Sequence, residues 1–579
     1  MKRAPGAGRS PFALGFGMLL LLAVTALVRL PHVVEPPGRD QGLFLAEAST
    51  WLDGGRFYED IFEHKPVGVI GVYALGVALF GATPAAVQAL HASALFATAA
   101  LLFALARRQG LDRSGSLAAS VLYLVFSAGT AFGGFWSSAQ VEVFVDPLVV
   151  LALLGFLGSA EDPLARRRGA FWGGVAIGVA IAWLKYSCLP LVGLLALLFL
   201  PREGVQRQAR RRLLGTALVG VCLPALALVA VFAGTGRFES FWLSSVEFNW
   251  IHRGGLQAQL PQGFDWLAGV LPFSAALRPL YVAALAGLVL LWLHARGSQR
   301  AVRPGRDALW VAGLLLWGIA LGEVFFQAKF WVYHYFVLLL PLSLLAGLGL
   351  QGAADALRPK VGGVAAWGFV WLVAFALAFP HWRDLGTHLG QREVVSFARG
   401  KVDADAVRSG YRWGGEDYDY GDTLAAARRL RRESGGAGTL FVWGFEPSLY
   451  WLTGLRPVSR FFYDYPLSRA FGDLAKTHEA QLLAELEGHP PRFFVVVKDD
   501  ANDLEGIESR LQLGRHPRLV AFLEKHYRSS WQEGDFTTYR RVEVDGGASS
   551  SAPTRTGRPL VTASSETRAR PRQSPDRSS

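Results

Sequence analysis

The sequence predicts a polytopic α-helical membrane protein that carries a small α/β domain near its C-terminus. With 579 residues, 51% of them hydrophobic and 18% charged, the chain is too long and too apolar for an ordinary soluble domain. Apolar runs alternate with arginine clusters up to about residue 380, and beyond that point the composition becomes mixed. Cys188 and Cys222 both fall in apolar runs, which indicates neither a disulfide framework nor a cysteine-ligated metal.

The net charge of +12 reflects membrane orientation and not nucleic-acid binding. The cations cluster in short runs after apolar segments and in the C-terminal tail, with no basic and aromatic binding surface between them. Loops that stay in the cytoplasm collect Lys and Arg. We therefore predict an integral protein of a bacterial-type plasma or inner membrane with no nucleic-acid partner.

The charges around the first apolar runs predict the topology. Lys2, Arg3 and Arg9 precede the run Phe12 to Val28, which predicts a retained first helix with a cytoplasmic N-terminus. Residues 31–66 contain seven carboxylates and only three fixed cations, so we expect this loop outside the cytoplasm. The next run, Val67 to Phe80, is about 20 Å long as a helix, which is short of a ~30 Å hydrocarbon core.

If Val67 to Phe80 does not cross, every later arginine cluster falls on the cytoplasmic side. This solution gives about eleven crossings and leaves the C-terminal domain outside. It requires two crossings from the 31 residues between Ala170 and Leu200, which Lys185, Tyr186 and Pro190 interrupt. We expect two half-length helices that meet at a water-filled outer cavity, because broken backbone is tolerated only where it lines a cavity.

Three domains are predicted. Residues 1–380 form the membrane domain, with a first outer loop at 29–84. Residues 381–545 form an extracytoplasmic α/β domain, with strand-like runs at Thr439 to Trp443, Arg492 to Val497 and Thr537 to Val542. Residues 546–579 form a basic tail of Ser, Pro and Arg that we expect to be disordered.

Asp40 is the first candidate for chemistry. It follows the helix-breaking segment PPG and begins a short helix that we expect to lie along the membrane surface. A carboxylate there either answers the helix dipole in the first turn or accepts a proton from an acceptor hydroxyl or amine at the mouth of an apolar cavity.

Four stretches carry a resemblance to a known group of enzymes: RDQGLFLAEASTWLDGGRFYEDIFEHKPV from Arg39, IAWLKYSCLPLV at 181–192, KFWVYHYFVLLLPLSLLAG at 329–347 and VWGFEPSLYWLTGLRPVSRFFY at 442–463. They resemble the C-type-fold membrane glycosyltransferases, in the superfamily of protein O-mannosyltransferases and lipid A aminoarabinose transferases. Two positions depart from the pattern: Gln41 stands where Glu often follows the aspartate, and Val67 stands where a second Pro follows Lys65-Pro66.

The resemblance implies a C-type glycosyltransferase fold and transfer of a sugar from a polyprenyl-phosphate donor. The acceptor would be a lipid, a glycan or a protein on the outer face of the membrane, with inversion at the anomeric carbon. Asp40 matches the loop aspartate and would act as general base or acceptor orienter. The missing acid at position 41 puts in doubt any mechanism that needs two carboxylates.

A leaving phosphate needs fixed positive charge. Lys65, Lys185 and Lys329 lie at outer helix ends in the predicted topology and are our candidates for binding the donor phosphate. The alternative for each is an interfacial lysine whose long stem reaches the headgroups.

Acidic and aromatic residues supply the candidate substrate contacts. Glu142 and Asp146 are four apart on one helix face, and charged residues in apolar spans are functional candidates by default. Tyr333 and His334 are candidates for binding substrate or phosphate. The alternatives are a polar helix cap for the acids and structural hydrogen bonding for His334. No cofactor is assigned, although Asp40, Glu142 and Asp146 leave a shared divalent cation open.

Two other classes compete with an enzyme. A transporter or flippase for a lipid-linked substrate also uses broken helices and intramembrane acids, yet no related halves are evident in the sequence. A non-catalytic envelope scaffold would tolerate neutral replacement of Asp40 and Lys185.

Overall fold

The computed structural model describes residues 11–542 except 129–131, 133, 159–161, 201–205, 253–260, 262–276, 297–303, 328, 392–393, 415–416 and 501–504. The chain divides into two compact units. The first contains Met1–Gln41 and Glu63–Lys401, and the second contains Gly42–Phe62 and Val402–Ser579. The predicted disordered tail at 546–579 lies outside the described residues.

Helices make up the first unit, because its sequence consists of long apolar runs whose backbone groups must be satisfied internally in lipid. In the described residues its main α-helices are Pro11–Arg29, Val67–Phe80, Pro84–Arg108, Arg113–Ser127, Val141–Phe156, Pro163–Val179, Arg207–Gly234, Arg278–Arg296, Pro304–Gln327, Leu339–Val361 and Gly363–Gln391. Helix Arg39–Leu52 begins in this unit, and its residues from Gly42 onward belong to the second unit. Short α-helices lie at Phe238–Phe241, Phe248–His252 and Val394–Ala398. Segments of 3₁₀ helix lie at Leu30–His32, Gly134–Ser137, Tyr186–Phe199 and Val332–Leu338. Segments of π-helix lie at Ala180–Leu184 and Trp242–Glu247.

Five helical segments in the described residues are long and apolar enough to cross a membrane: Gly15–His32, Pro84–Arg108, Arg207–Gly234, Gly305–Gln327 and Val332–Val361. Shorter apolar helices lie at Val67–Phe80, Tyr186–Phe199, Arg278–Leu293 and Gly363–Ala376. Large apolar side chains are exposed along several of them, including Leu226 at 64% and Leu285 at 59%. Such surfaces suit lipid, so the chain is a membrane protein; the number of about eleven crossings and their direction stay predictions.

The predicted interruption near Lys185 is present, but the two flanking pieces are not half-length helices. The helix begins at Pro163, because the Asp162 side chain accepts hydrogen bonds from the backbone N–H groups of Leu164 and Ala165. It continues through a π-helical turn to Leu184, and Lys185 is extended at φ −160° and ψ 115°. The next 14 residues, Tyr186–Phe199, form a 3₁₀ helix, which rises about 2.0 Å per residue and reaches roughly 28 Å.

A five-stranded sheet forms the core of the second unit. Its strand order is Arg456–Pro457, Thr439–Trp443, Phe493–Val497, Phe536–Arg541 and Tyr527–Glu533. The first three strands are parallel to one another. Strand Phe536–Arg541 pairs antiparallel with both of its neighbours, Phe493–Val497 and Tyr527–Glu533. The predicted strand runs at 439–443, 492–497 and 537–542 coincide with three of these strands, and Phe493–Val497 is buried throughout.

Six α-helices and a small ribbon complete the described part of this unit. The helices are Ala404–Arg408, Tyr420–Ser434, Ser448–Thr453, Asp473–Gly488, Ser509–Leu513 and Pro517–His526, with 3₁₀ turns at Tyr465–Leu467 and Arg469–Phe471. Strands Arg412–Trp413 and Tyr418–Asp419 form the two-stranded ribbon. The side of the membrane on which the unit lies stays a prediction.

The division between the units differs from the predicted boundary at residue 380. Helix Gly363–Gln391 continues through that position. Residues 42–62 group with the second unit, where the Phe62 N–H donates to the Arg460 carbonyl at 2.9 Å and Arg460 Nη2 donates to the Tyr58 carbonyl at 2.7 Å. Phe57, Ile61 and Phe62 are fully or almost fully buried, so packing rather than composition fixes this assignment.

Candidate active site

Asp40 lies in the first turn of helix Arg39–Leu52, and side chains from three other segments meet its carboxylate. Lys65 Nζ is 3.5 Å from Oδ1. Gln140 Nε2 donates to Oδ2 at 3.1 Å, and the Tyr333 hydroxyl donates to the same oxygen at 3.4 Å. The structure therefore brings together three residues predicted separately, Asp40, Lys65 and Tyr333, and adds Gln140.

The loop that carries Lys65 is fixed by polar contacts on both sides. The Lys65 N–H donates to Glu63 Oε1 at 2.7 Å, and His64 Nδ1 is 2.9 Å from the same oxygen. Asn249 donates from its side chain to the His64 carbonyl and, at 2.7 Å, to the Ser245 carbonyl. Burial opposes ionisation of Glu63, yet the positive charges of Lys65 and His64 hold the pKa of Glu63 down to about 2. Lys65 thus lies between two carboxylates, those of Asp40 and Glu63.

The turn Trp136–Gln140 precedes helix Val141–Phe156 and faces Asp40. Gln41 donates from its side-chain amide to the carbonyls of Trp136, at 3.0 Å, and Ser138, at 2.8 Å. The Tyr73 hydroxyl donates to the Ala139 carbonyl at 2.9 Å. Ala139 has φ 52°, a left-handed conformation that a non-glycine residue adopts only where its surroundings enforce it. In the sequence, Gln41 stands where the family pattern often has an acid. In the structure its amide serves as a hydrogen-bond donor to this turn.

Lys185, at the helix interruption, forms an ion pair with Glu142 at the start of its helix. Glu142 is only 1% exposed and Lys185 is 17% exposed. Lys185, which we predicted to bind phosphate, and Glu142, which we predicted to contact substrate, therefore pair with each other in this structure.

Asp146 lies deeper along the same helix and is also fully buried. The Tyr123 hydroxyl donates to Asp146 Oδ2 at 2.7 Å, and Cys188 Sγ donates to Glu323 Oε1 at 3.3 Å. A cavity of about 10 Å³, roughly the room of one water molecule, lies between Asp146, Glu323 and apolar side chains. Asp146 therefore faces this cavity and Tyr123, with no contact to Asp40 among those described.

His334 and Lys329 come from the segment that also carries Tyr333. The His334 ring is 4% exposed and packs edge-on to Tyr333, with ring centroids 4.7 Å apart. Lys65, Lys185 and Lys329 all lie close enough for their charges to act on this ring. The three lysines predicted from the sequence therefore surround one region of the membrane unit.

The carboxylates do not converge on a common metal position. Asp40 pairs with Lys65, whereas Glu142 pairs with Lys185. Among the residues that the structure describes, no three His, Cys, Asp or Glu side chains form a group that could hold a metal ion. We therefore derive no step through a divalent cation.

Sequence reasoning missed three members of the site: Gln140, Glu63 as the partner of Lys65, and Asn249. Gln140 directly precedes a helix whose first turn contains Glu142, yet glutamine at that position carries no sequence signal of its own. Glu63 was recognised only as one of seven loop carboxylates. Asn249 lies far away in sequence, and only the folded chain brings it to His64.

Comparison with solved structures identifies the architecture as the C-type glycosyltransferase fold, which confirms the fold that the sequence resemblance implied. The chain is similar to ArnT from Cupriavidus metallidurans bound to undecaprenyl phosphate, at 15% identity and a TM-score of 0.53 over 92% of this chain and 99% of that chain. The apo form of the same enzyme gives 15% identity and a TM-score of 0.52 over 92% and 100%. At this identity the likeness shows the fold alone.

A third solved structure is more distant. The protein O-mannosyltransferase Pmt1–Pmt2 complex of S. cerevisiae, bound to its sugar donor, has 18% identity and a TM-score of 0.31 over 41% of this chain and 38% of that chain, which is too weak to carry an argument. No family model and no curated protein matches the sequence.

Proposed function

We propose that this protein transfers a sugar from a polyprenyl-phosphate donor to an envelope acceptor on the outer face of the membrane, with Asp40 as general base. The observation that carries the proposal is the convergence of Lys65, Gln140 and Tyr333 on the Asp40 carboxylate within a C-type glycosyltransferase fold. The undecaprenyl phosphate bound to the structurally similar ArnT supports a donor of the same chemical class here.

The chemistry is a single displacement. The acceptor, a hydroxyl or an amine of a lipid, a glycan or a protein, gives its proton to Asp40 while its oxygen or nitrogen attacks the anomeric carbon. The bond from that carbon to the phosphate oxygen breaks, and its electron pair stays on the departing polyprenyl phosphate. One displacement inverts the configuration at the anomeric carbon. A correctly placed base of this kind contributes about 100- to 10,000-fold in rate.

The lysines serve the departing phosphate. Lys65 lies beside Asp40, and Lys185 and Lys329 lie near the same region around His334. Fixed cations in a site with little water stabilise a developing phosphate charge without solvent reorganisation. The ammonium groups of Lys65 and Lys185 are paired with carboxylates in this structure, so the donor phosphate competes with Asp40 and Glu142 for them.

Mass spectrometry of envelope lipids, glycans and proteins tests the proposal in cells. Deletion cells are complemented with wild type, Asp40→Asn or Asp53→Asn, with equal membrane levels established by immunoblot. Asp53 is an exposed acid of the same loop and provides the matched control. We expect one sugar-sized mass difference on an envelope molecule with wild type and Asp53→Asn, and its absence with Asp40→Asn. An Asp40→Asn product equal to that of wild type would remove Asp40 from the mechanism.

Transport of a lipid-linked substrate is the second candidate. The buried acids Asp146 and Glu323 beside a water-sized cavity are the observation that favours it, because intramembrane carboxylates also serve proton-coupled transport. A transporter would leave the envelope product dependent on a separate transferase. It would also move the intact donor across proteoliposomes without releasing polyprenyl phosphate.

A further inference from the structure

We propose that Gln140 is the positioning residue of Asp40 and that it assigns different tasks to the two carboxylate oxygens. This inference rests on the proposed function of Asp40 as the base. Gln140 holds Oδ2, so that Oδ1, beside Lys65, is the oxygen that takes the proton of the acceptor.

The Gln140 side chain points towards Asp40 instead of capping the helix that follows it. Gln140 occupies the position just before helix Val141–Phe156, where a side chain usually caps the first helical N–H groups. It makes no such cap. Its amide nitrogen donates instead to Asp40 Oδ2, at 3.1 Å, and to the Trp136 carbonyl, at 3.2 Å. The side chain is 2% exposed, so water does not compete for these bonds.

A structural role does not account for the side-chain amide of Gln140. The Trp136 carbonyl also accepts a hydrogen bond from Gln41 at 3.0 Å and keeps that partner if the Gln140 amide is lost. Asp40 does not have an equivalent replacement, because the Tyr333 hydroxyl contacts Oδ2 only at 3.4 Å. The amide of Gln140 is therefore the closest donor to Asp40 among the described side-chain contacts.

The turn Trp136–Gln140 is held by contacts on several sides. Tyr73 and Gln41 bind three of its carbonyls, and Ala139 is kept at φ 52°. Ser138 Oγ lies 3.4 Å from the buried Arg29 Nη2 and 3.5 Å from Glu35 Oε2. Backbone strain that persists under such restraint is typical of sites where a side chain must be aimed accurately.

The Asp40 carboxylate has a limited number of acceptor positions. Two carboxylate oxygens accept about four hydrogen bonds in total. Gln140 and Tyr333 use Oδ2, and Lys65 approaches Oδ1. Among the contacts of the described residues, one position therefore remains at Oδ1, next to the ammonium that would also meet the donor phosphate. An acceptor hydroxyl bonded there lies between the base and the leaving group.

Isosteric variants of Gln140 test the assignment. Gln140→Met removes the amide, and Gln140→Glu replaces the donor by a second acceptor of the same shape. Gln109→Met is the matched control, since Gln109 is also buried and donates to the Leu157 carbonyl at 2.8 Å, away from Asp40. Each full-length protein is purified and given the polyprenyl-phosphate sugars and the envelope acceptors extracted from native membranes. Release of polyprenyl phosphate is then followed between pH 4.5 and pH 8.5.

We expect kcat to fall about 10- to 100-fold in Gln140→Met and further in Gln140→Glu, with a smaller change in KM. The acidic limb of the pH profile moves to higher pH by about one unit, because the carboxylate has lost a donor. The titratable groups that face Asp40 in the described residues are Lys65, Tyr333 and Tyr73. All three are unchanged in Gln140→Met, whereas Gln140→Glu adds a carboxyl group beside Asp40. A loss of stability alone, as in Gln109→Met, does not move that limb.

A second readout does not depend on activity. Dicyclohexylcarbodiimide reacts with protonated carboxyl groups, and peptide mass spectrometry gives the extent of Asp40 labelling at each pH. We expect the labelling midpoint of Asp40 to rise in both Gln140 variants and to stay unchanged in Gln109→Met. An unchanged midpoint in folded Gln140→Met overturns the inference. Loss of transfer in Asp40→Asn with wild-type behaviour of the Gln140 variants overturns it too, whereas an active Asp40→Asn overturns the proposed function instead.

Discussion

Lys185 forms an ion pair with Glu142 at the residue where a membrane helix gives way to extended backbone. Glu323 interacts electrostatically with both partners, and Asp146 interacts electrostatically with Glu142 and Glu323. Lys185 therefore acts on two buried carboxyl groups, those of Glu142 and Glu323, and not on a single one. Because an unpaired buried charge is costly, the two partners of this ion pair are not equivalent.

Lys185→Met is expected to destabilise the protein more than Glu142→Gln. Loss of the lysine leaves two buried acids, Glu142 and Glu323, without their cation, at a cost of about 3 to 5 kcal/mol. Loss of Glu142 leaves Lys185 with Glu323 nearby. Thermal unfolding of the detergent-purified proteins measures the difference, and the double variant should recover part of the stability without recovering transfer. Equal destabilisation by the two single changes would contradict this account of the acid group.

Gln41→Glu is expected to be harmful, although the pattern that the sequence resembles often has an acid at this position. The Gln41 amide donates to two carbonyl oxygens and the side chain is fully buried, so a carboxylate would face both acceptors without a proton. The loss should be about 1 to 3 kcal/mol. Gln41→Met, which removes the bonds without adding charge, is the control for repulsion. Membrane yield and the unfolding midpoint report the order wild type, Met, Glu, and a Glu variant as stable as wild type would refute the donor role.

Ala139→Gly is expected to leave the protein as stable or up to about 1 kcal/mol more stable. Glycine reaches a φ of 52° without the steric cost that alanine bears. Ala139→Val should be destabilising, because a branched side chain suits this conformation poorly. The unfolding midpoints of the two variants provide the measurement. Should Ala139→Gly prove strongly destabilising, the left-handed conformation at this turn would be wrong.

His478 makes the second unit sensitive to acid. Burial lowers the pKa of His478 to about 4, against an unfolded value of about 6.5, although the Pro466 carbonyl at 2.8 Å from Nδ1 acts in the opposite direction. The folded state therefore prefers the neutral ring. Its stability is complete above about pH 7 and falls as the pH drops from about 6.5 towards 4, by roughly 2 to 3 kcal/mol at pH 4.5.

Hydrogen exchange in helix Asp473–Gly488, corrected for intrinsic rates, measures this effect in the full-length protein. Protection should decrease about 30- to 100-fold between pH 7.5 and pH 4.5 beyond the change seen in His478→Gln. His489→Gln, at an exposed position nearby, should retain the full loss. Identical pH dependence in wild type and His478→Gln would show that another group is responsible.

The sequence was sufficient for the fold class and for several strands of the second unit, because long apolar runs and strand-like runs are local signals. Thr439–Trp443 and Phe493–Val497 lie where their composition predicted. The interruption at Lys185 was also predictable, since a lysine, a tyrosine and a proline interrupt an apolar run. The length of its flanking helices was not, because the cap at Asp162 and the 3₁₀ rise of Tyr186–Phe199 depend on local geometry.

The candidate site was predictable only in part. Asp40, Lys65 and Tyr333 could be named from residue type and from the resemblance, and the structure brings them together. The pairing of Glu142 with Lys185 and the turn that presents Gln140 depend on contacts between segments far apart in sequence. Gln41 is the clearest example: composition presents it as a missing acid, whereas the fold uses its amide as a donor.

The conversion of donor lipid by the purified protein tests the central claim most directly. Wild type, Asp40→Asn and Asp53→Asn are incubated with the polyprenyl-phosphate sugars and envelope acceptors extracted from native membranes, and liquid chromatography with mass spectrometry quantifies polyprenyl phosphate. We predict that wild type and Asp53→Asn convert one polyprenyl-phosphate sugar into polyprenyl phosphate, while Asp40→Asn is slower by about 100- to 10,000-fold. Equal conversion by all three proteins, or no conversion by a wild type that carries the intact donor across proteoliposomes, would contradict the account.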